Sequence, residues 1–230
     1  MIIASTSTTH GSKFLEYLLP TLQVHFKGIK TLVFIPYARP NGISYGNYTS
    51  IVKEVFVKIN IAVKGIHEFY NPKDAIKNAE AIFTGGGNTF ELVNQLYQNN
   101  ILSVLKYALE NGTPYLGTSA GSNICGPDIM NTNDMPIVYP PSFKTLSCIP
   151  FNINAHYLDP IRGSHHMGES RETRIKEFHI FNKTKVLGLR EGSWLLVEGE
   201  KITLQGKHTA KLFQQNSKPR ELESGVEVVL

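Results

Sequence analysis

Short apolar runs alternate with segments of helical periodicity over most of the chain. The apolar runs predict buried strands at residues 1–4, 31–36, 61–69, 81–84 and 114–117. Between them, residues 52–59 place apolar side chains at i, i+3, i+4 and i+7, and residues 14–22, 90–97 and 101–110 are also helical in pattern. Strands that alternate with helices in this way predict an α/β fold, with a mostly parallel sheet and helices on both faces.

Residues with special backbone preferences mark several element ends. Asn71 followed by Pro72 predicts an N-cap and the first turn of a helix, whereas Asn111-Gly112 predicts a helix end. The later part predicts an extended run at 146–153, a helix at 169–181, a strand at 185–189 and a hairpin of 194–197 with 201–204. From the length we expect residues 1–230 to form a single domain.

Composition argues against several classes of protein. Apolar residues make up 41% of the chain, enough for a sizeable core, but no run approaches the ~18 apolar residues of a membrane span. The net charge is +4, yet Lys and Arg are scattered, which argues against nucleic acid as a partner. Cys125 and Cys148 form no CxxC pair, and the first residues do not resemble a secretory signal. We therefore expect reduced thiols in a cytoplasmic protein.

The segment Gly117-Thr118-Ser119-Ala120-Gly121 fits G-x-S-x-G between a predicted strand and a predicted helix. In such a nucleophile elbow the serine occupies a strained turn, and the glycines remove side chains that would clash. The amide of Ala120 is then free to donate into an oxyanion hole. A glycine-rich turn with an N-capping serine is the alternative interpretation.

The run Gly85-Gly86-Gly87-Asn88 follows another predicted strand. Glycines let backbone amides approach a ligand closely, so this loop is a candidate source of a second oxyanion donor. It lacks the Lys-Ser/Thr of a P-loop and the spacing of G-x-G-x-x-G, which argues against a nucleotide site. A plain tight turn stays open.

A nucleophilic serine needs a base, and the base needs an orienting acid. Among eight histidines, His156 follows an extended run and ranks slightly above His165 and His166. Glu191 follows the strand at 185–189, as a residue at a strand end should, while Asp134 and Asp159 are competing acids. The order Ser, His, Glu is not that of α/β-hydrolases, chymotrypsin or subtilisin, so a hydrolase here needs a different α/β scaffold.

Seven separated motifs in the same order resemble peptidase E, the α-aspartyl dipeptidase family of serine peptidases. They are FIPYA (34–38), TGGGNTF (84–90), GTSAGSN (117–123), TNDMPIV (132–138), NAH (154–156), GESRETRI (168–175) and REG (190–192). One departure is minor: Ser170 stands where the family usually has threonine. The resemblance runs through nearly the whole chain.

The resemblance implies a fold like that of class I glutamine amidotransferases and flavodoxins. It assigns Ser119 as the nucleophile, His156 as the general base and Glu191 as the orienting acid. The implied oxyanion donors are Gly86, Gly87 and Ala120. It implies no cofactor and no metal, and the expected partner is a small peptide with an N-terminal aspartate, bound by a monomer or homodimer.

The substrate's aspartate side chain needs a cation, and a bidentate arginine is best suited to a buried carboxylate. Arg171 is the first choice and Arg174 the second, while Asn88 offers a further donor and Glu169 a partner for the free amine. Both arginines could instead pair with glutamates on a helix face.

Three other functions stay open. One is a cyanophycinase-like peptidase, which shares the GTSAG elbow. The second is a metallohydrolase that uses His156, Asp159, His165 and His166, although their spacing fits no well-known zinc motif. The third is a non-catalytic small-molecule-binding relative.

Overall fold

The computed structural model of the chain describes residues 1–160 and 168–229, which form two β-sheets surrounded by helices. The strands are β1 (Ile2–Ala4), β2 (Thr31–Ile35), β3 (Ala62–Gly65), β4 (Ile82–Thr84), β5 (Tyr115–Thr118), β6 (Asn152–Ala155), β7 (Val186–Leu189), β8 (Ser193–Glu198), β9 (Lys201–Gly206), β10 (Ala210–Phe213) and β11 (Arg220–Leu222). The helices are α1 (Leu19–His25), α2 (Tyr45–Phe56), α3 (Pro72–Lys77), α4 (Thr89–Gln98), α5 (Leu102–Glu110), α6 (Ala120–Asn123) and α7 (Arg171–Phe181).

The larger sheet has seven strands in the order β3-β2-β4-β5-β1-β8-β9. The first five are parallel to one another, and the β8–β9 hairpin is antiparallel to β1. Strands β1, β4 and β5 are buried along their whole length, as the continuous apolar runs require of strands covered on both faces. The prediction of a mostly parallel sheet is confirmed.

Alternating side chains divide the core into two layers, because successive strand residues point to opposite faces. Ile3 packs with the apolar faces of α3, α4 and α5, while its neighbours Ile2 and Ala4 pack with α1 and α2. Helices therefore cover both faces of the sheet, as predicted. None of the helices in the described ranges is both long and apolar enough to cross a bilayer.

The second sheet, in the order β11-β10-β7-β6, was not predicted. Only β6 and β7 are parallel, so the carboxyl ends of these two strands lie side by side. Of the predicted extended run 146–153, only Asn152 and Ile153 belong to a strand, because the backbone at 145–149 bonds to the turn at 124–127 instead. The predicted strand 61–69 also ends early, at Gly65, where the amide donates to the Glu68 carboxylate.

Helix termini follow their sequence signals. The side chain of Asn71 accepts hydrogen bonds from the amides of Lys73 and Asp74, so it caps α3 as predicted. The helix α5 ends at Glu110, directly before Asn111-Gly112, and Gly112 has a φ of +87°.

Candidate active site

Ser119 lies between β5 and α6 in a conformation that L-residues rarely adopt, with φ +53° and ψ −112°. Its amide donates to the Ala4 carbonyl of the neighbouring strand β1. A Cβ at Gly117 would lie 2.8 Å from the carbonyl carbon of Gly121, and one at Gly121 would collide with the carbonyl oxygen of Thr84. The G-x-S-x-G spacing therefore reflects close backbone packing around a strained serine.

His156 and Glu191 approach this serine from the second sheet. The Nε2 atom of His156 lies 2.8 Å from Ser119 Oγ, and its Nδ1 atom lies 2.6 Å from Glu191 Oε1. His156 follows β6 and Glu191 lies just beyond β7, at the ends of two paired parallel strands. An imidazole whose Nδ1 proton is held by a carboxylate presents Nε2 as an acceptor for a hydroxyl proton.

Two buried polar residues join the sheets beneath these side chains. The hydroxyl of Ser5 accepts the His156 amide proton at 2.9 Å and donates to the Leu189 carbonyl at 2.7 Å. The side-chain oxygen of Asn123 accepts from the Ala155 amide at 3.3 Å. Sequence reasoning missed both roles, although Ser5 directly follows a predicted strand.

The three candidate oxyanion donors differ in their hydrogen bonding. The amides of Gly87 and Ala120 have no hydrogen-bond partner among residues 1–160 and 168–229, whereas the Gly86 amide donates to the Tyr48 hydroxyl at 3.1 Å. The expectation that Gly86 also supplies an oxyanion donor is therefore not met in this structure. Tyr48 lies on α2, and no sequence signal linked it to the triglycine loop.

Asn88 and Asp134 lie at the amino end of α4 rather than at His156. The side-chain oxygen of Asn88 caps the helix by accepting a hydrogen bond from the backbone amide of Glu91. The side-chain nitrogen of Asn88 donates to the Met135 carbonyl at 2.8 Å. One carboxylate oxygen of Asp134 accepts from the Thr89 amide at 2.7 Å. A carboxylate at a helix N-terminus is stabilised there, which accounts for Asp134 without a catalytic role.

The candidate substrate-binding arginines separate in space. Arg171 is half-buried, and one guanidinium N–H donates to the carbonyl of Ala155, the residue before His156, at 3.2 Å. Burial lowers the pKa of Arg171, while the nearby carboxylates of Glu191 and Asp134 act in the opposite direction. Arg174 instead lies 3.9 Å from Glu169 on the surface, with both side chains more than half exposed.

The residues of the metal hypothesis do not assemble within the described chain. Asp159 forms an ion pair with Arg190 at 2.6 Å, and His165 and His166 lie outside the described residues. No group of three or more His, Cys, Asp or Glu side chains with metal-binding geometry occurs within residues 1–160 and 168–229.

Fold and site together have the form of a hydrolase with a serine on a nucleophile elbow, and sequence comparison agrees with that class. The model of peptidase family S51 matches residues 1–205. The chain belongs to this family, which confirms the predictions of a serine-type peptidase and of a resemblance to peptidase E.

The relatives cover the chain almost completely. Peptidase E of Streptomyces coelicolor is 45% identical over 225 residues, which span 98% of this chain and 91% of the relative. A probable alpha-aspartyl dipeptidase of Drosophila melanogaster is 42% identical over 225 residues, spanning 96% and 92% of the two chains.

Solved structures share the fold at low sequence identity. A putative peptidase E from Listeria monocytogenes has a TM-score of 0.68 and 17% identity, covering 90% of this chain and 98% of that one. A peptidase from an acI-B1 Actinobacterium has a TM-score of 0.75 and 12% identity, covering 100% and 96%. These likenesses confirm the predicted fold class.

Proposed function

We propose that the chain hydrolyses the peptide bond after an N-terminal aspartate in dipeptides and short peptides. The observation that carries the proposal is the continuous series of contacts from Ser119 Oγ through the His156 ring to Glu191 Oε1. Membership of peptidase family S51 and a 42% identical relative named as a probable alpha-aspartyl dipeptidase support the substrate class.

In the proposed mechanism Ser119 Oγ attacks the carbonyl carbon of the aspartyl residue while His156 Nε2 takes the hydroxyl proton. The carbonyl electron pair moves onto oxygen, where the amides of Gly87 and Ala120 stabilise the negative charge. Glu191 holds the imidazole ring and stabilises the imidazolium. The C–N bond then breaks as His156 protonates the leaving amine, and water, deprotonated by His156, hydrolyses the acyl-enzyme.

Arg171 is the proposed partner of the aspartate side chain. A guanidinium carries five N–H donors, and the bond to Ala155 uses one of them, so the group retains donors for a carboxylate. Its neighbour in the motif, Arg174, pairs with Glu169 at the surface, and Asn88 caps α4, so these three residues are weaker candidates.

The proposal further includes a single-domain, cytoplasmic enzyme that needs no cofactor and acts as a monomer or homodimer. Two unpaired cysteines, Cys125 and Cys148, support a reducing compartment.

The test compares hydrolysis of Asp-Leu with Glu-Leu, Ala-Leu and N-acetyl-Asp-Leu, in the presence of EDTA. We expect cleavage of Asp-Leu alone and a loss of at least about 10³-fold in kcat for Ser119→Ala. Ser50→Ala removes an exposed hydroxyl on α2 and serves as the matched control. A folded wild-type protein that leaves Asp-Leu intact would contradict the proposal and redirect the search to cyanophycin-like substrates. Activity abolished by EDTA would contradict the metal-free mechanism.

A further inference from the structure

Two side chains outside the recognised motifs hold the peptide groups on both sides of Gly86. The Tyr48 hydroxyl accepts the Gly86 N–H at 3.1 Å, and the Arg39 Nε atom donates to the Gly86 carbonyl at 3.1 Å. Since the first bond fixes the peptide before Gly86 and the second fixes the peptide after it, neither can rotate without breaking a hydrogen bond.

The peptide after Gly86 is the one that carries the candidate oxyanion donor. It consists of the Gly86 carbonyl and the Gly87 N–H, which point in opposite directions because no cis peptide occurs among the described residues. Arg39 at the carbonyl therefore directs the Gly87 amide away from itself. A cation on the carbonyl also polarises the peptide, which makes the Gly87 N–H a stronger donor.

The same loop lies directly against the nucleophile. A Cβ at Gly86 would be 2.9 Å from the Cβ of Ser119, so the backbone approaches the serine as closely as a glycine allows. A Cβ at Gly85 would lie 2.7 Å from the Tyr48 hydroxyl, so that glycine leaves room for the tyrosine. Glycine is therefore needed at Gly85 and at Gly86 for different steric reasons, to make room for Tyr48 and for Ser119 respectively.

Tyr48 is itself rigidly placed. Its side chain is buried, and its ring contacts Phe34 edge-on with centroids 4.9 Å apart. The Arg39 guanidinium lies over the Tyr48 ring, 5.5 Å from its centroid, within reach of the stacking attraction between a cation and an aromatic face. Burial raises the pKa of Tyr48, so the hydroxyl keeps its proton at neutral pH.

We propose that Arg39 and Tyr48 are positioning residues for the oxyanion hole. They orient and polarise the peptide group whose Gly87 N–H donates to the oxygen that becomes negatively charged. The proposal rests on the proposed serine peptidase function and deepens it. Neither residue needs to touch the substrate, so both should affect the transition state more than substrate binding.

The test measures kcat and KM for Asp-Leu in Tyr48→Phe and Arg39→Met. Tyr48→Phe removes the hydroxyl that accepts the Gly86 N–H and also lies 3.5 Å from the Gly86 carbonyl oxygen, and Arg39→Met removes the Nε hydrogen bond to that carbonyl. Both changes keep most of the side-chain bulk, and a cavity of about 350 Å³ beside Arg39 leaves room for the methionine. We expect kcat to fall about 10- to 100-fold while KM stays within about threefold, a smaller loss than deleting an oxyanion donor outright. A boronic acid analogue of aspartate, which forms a tetrahedral adduct with serine, should lose affinity by the same factor as kcat/KM.

Matched controls separate this effect from general damage. Tyr45→Phe removes a hydroxyl from the same helix, and Arg220→Met removes a guanidinium on β11. Both controls should retain wild-type kcat, and thermal melting should show all four variants folded. An unchanged kcat in both Tyr48→Phe and Arg39→Met would overturn the proposal. A raised KM with unchanged kcat in Arg39→Met would overturn it in favour of a substrate contact.

A second readout keeps the proposal testable if Asp-Leu is not the substrate. A fluorophosphonate probe modifies an activated serine through a charged transition state that uses the same amides. The phosphonylation rate of Ser119 should fall about 10-fold or more in both variants and stay unchanged in both controls. Equal rates in all proteins would refute the positioning role whatever the substrate.

Discussion

Replacing Glu191 by glutamine removes the charge beside His156 and leaves the shape of the side chain almost unchanged. In the transition state His156 becomes an imidazolium, whose charge centre lies about 4 Å from that of the carboxylate. The side chain of Glu191 is 48% exposed and that of His156 is 35% exposed, so water screens the pair. With an effective dielectric constant of about 40–80, the lost attraction is about 1–2 kcal/mol. The glutamine amide can also donate to Nδ1, which places the ring proton on Nε2 and removes the base, so we expect kcat to fall at least about 5- to 30-fold, with KM little changed.

The assay is the steady-state hydrolysis of Asp-Leu by folded Glu191→Gln and by a matched variant, Asp134→Asn. Asp134 contacts the amino end of α4, so its neutral variant should lose about 0.3–1 kcal/mol of stability and keep kcat within about threefold. The opposite outcome, a large loss of kcat in Asp134→Asn and none in Glu191→Gln, would refute the assignment of Glu191 as the orienting acid.

Three further perturbations test the support of the site and of the second sheet. Ser5→Ala leaves the backbone amide of His156 without its hydrogen-bond partner, so the free energy of unfolding measured in urea should fall by about 1–3 kcal/mol and kcat should also fall. An unchanged unfolding free energy would contradict the bridging role of Ser5. Gly87→Ala introduces a Cβ at φ +148° that collides with the Ala38 carbonyl, so thermal melting should show a destabilisation of about 2 kcal/mol or more. An unchanged melting temperature would contradict this close packing of the loop. The Arg190 hydrogen bond lowers the pKa of Glu221, so the stability from this contact is complete above the unfolded pKa and is lost as the pH falls through the folded pKa. Between about pH 5 and about pH 3, Arg190→Met should flatten the pH dependence of the unfolding free energy, and identical slopes would contradict the linkage.

The sequence was most informative where burial is continuous. Strands β1, β2, β4 and β5 are buried along all or most of their length, and their positions were predicted to within a few residues. The end of β3, which alternates between exposed and buried residues, was predicted less well. The strands β10 and β11 were missed because charged residues interrupt their apolar pattern, Lys211 in β10 and both Arg220 and Glu221 in β11, which buries only Leu222. A largely apolar run at 146–151 resembled a strand, yet its buried side chains, Leu146, Ile149 and Phe151, lie in a loop. The apolar pattern alone cannot distinguish these two cases.

The sequence predicted which residues could form the site, but not which of them contact one another. Glu191 and Asp134 were both acids with a plausible position along the chain. The choice between them depends on strand order: β6 and β7 are adjacent, so the residues that follow them meet. The hydrogen bond between Gly86 and Tyr48 likewise joins residues 38 positions apart, and no local sequence pattern predicts such a contact.

The central position of β1 also determines when the site can form as the chain is synthesised. Ile2 pairs with Leu116 on one side and Leu196 on the other, so β1 gains one neighbour only once β5 has been made and the second only once β8 has been made. Ser5 must likewise wait for Leu189, 184 residues later, before it can hold the base in place. The nucleophile and its base therefore depend on contacts between segments far apart in the sequence, so we expect a fragment truncated before β8 to have no assembled site.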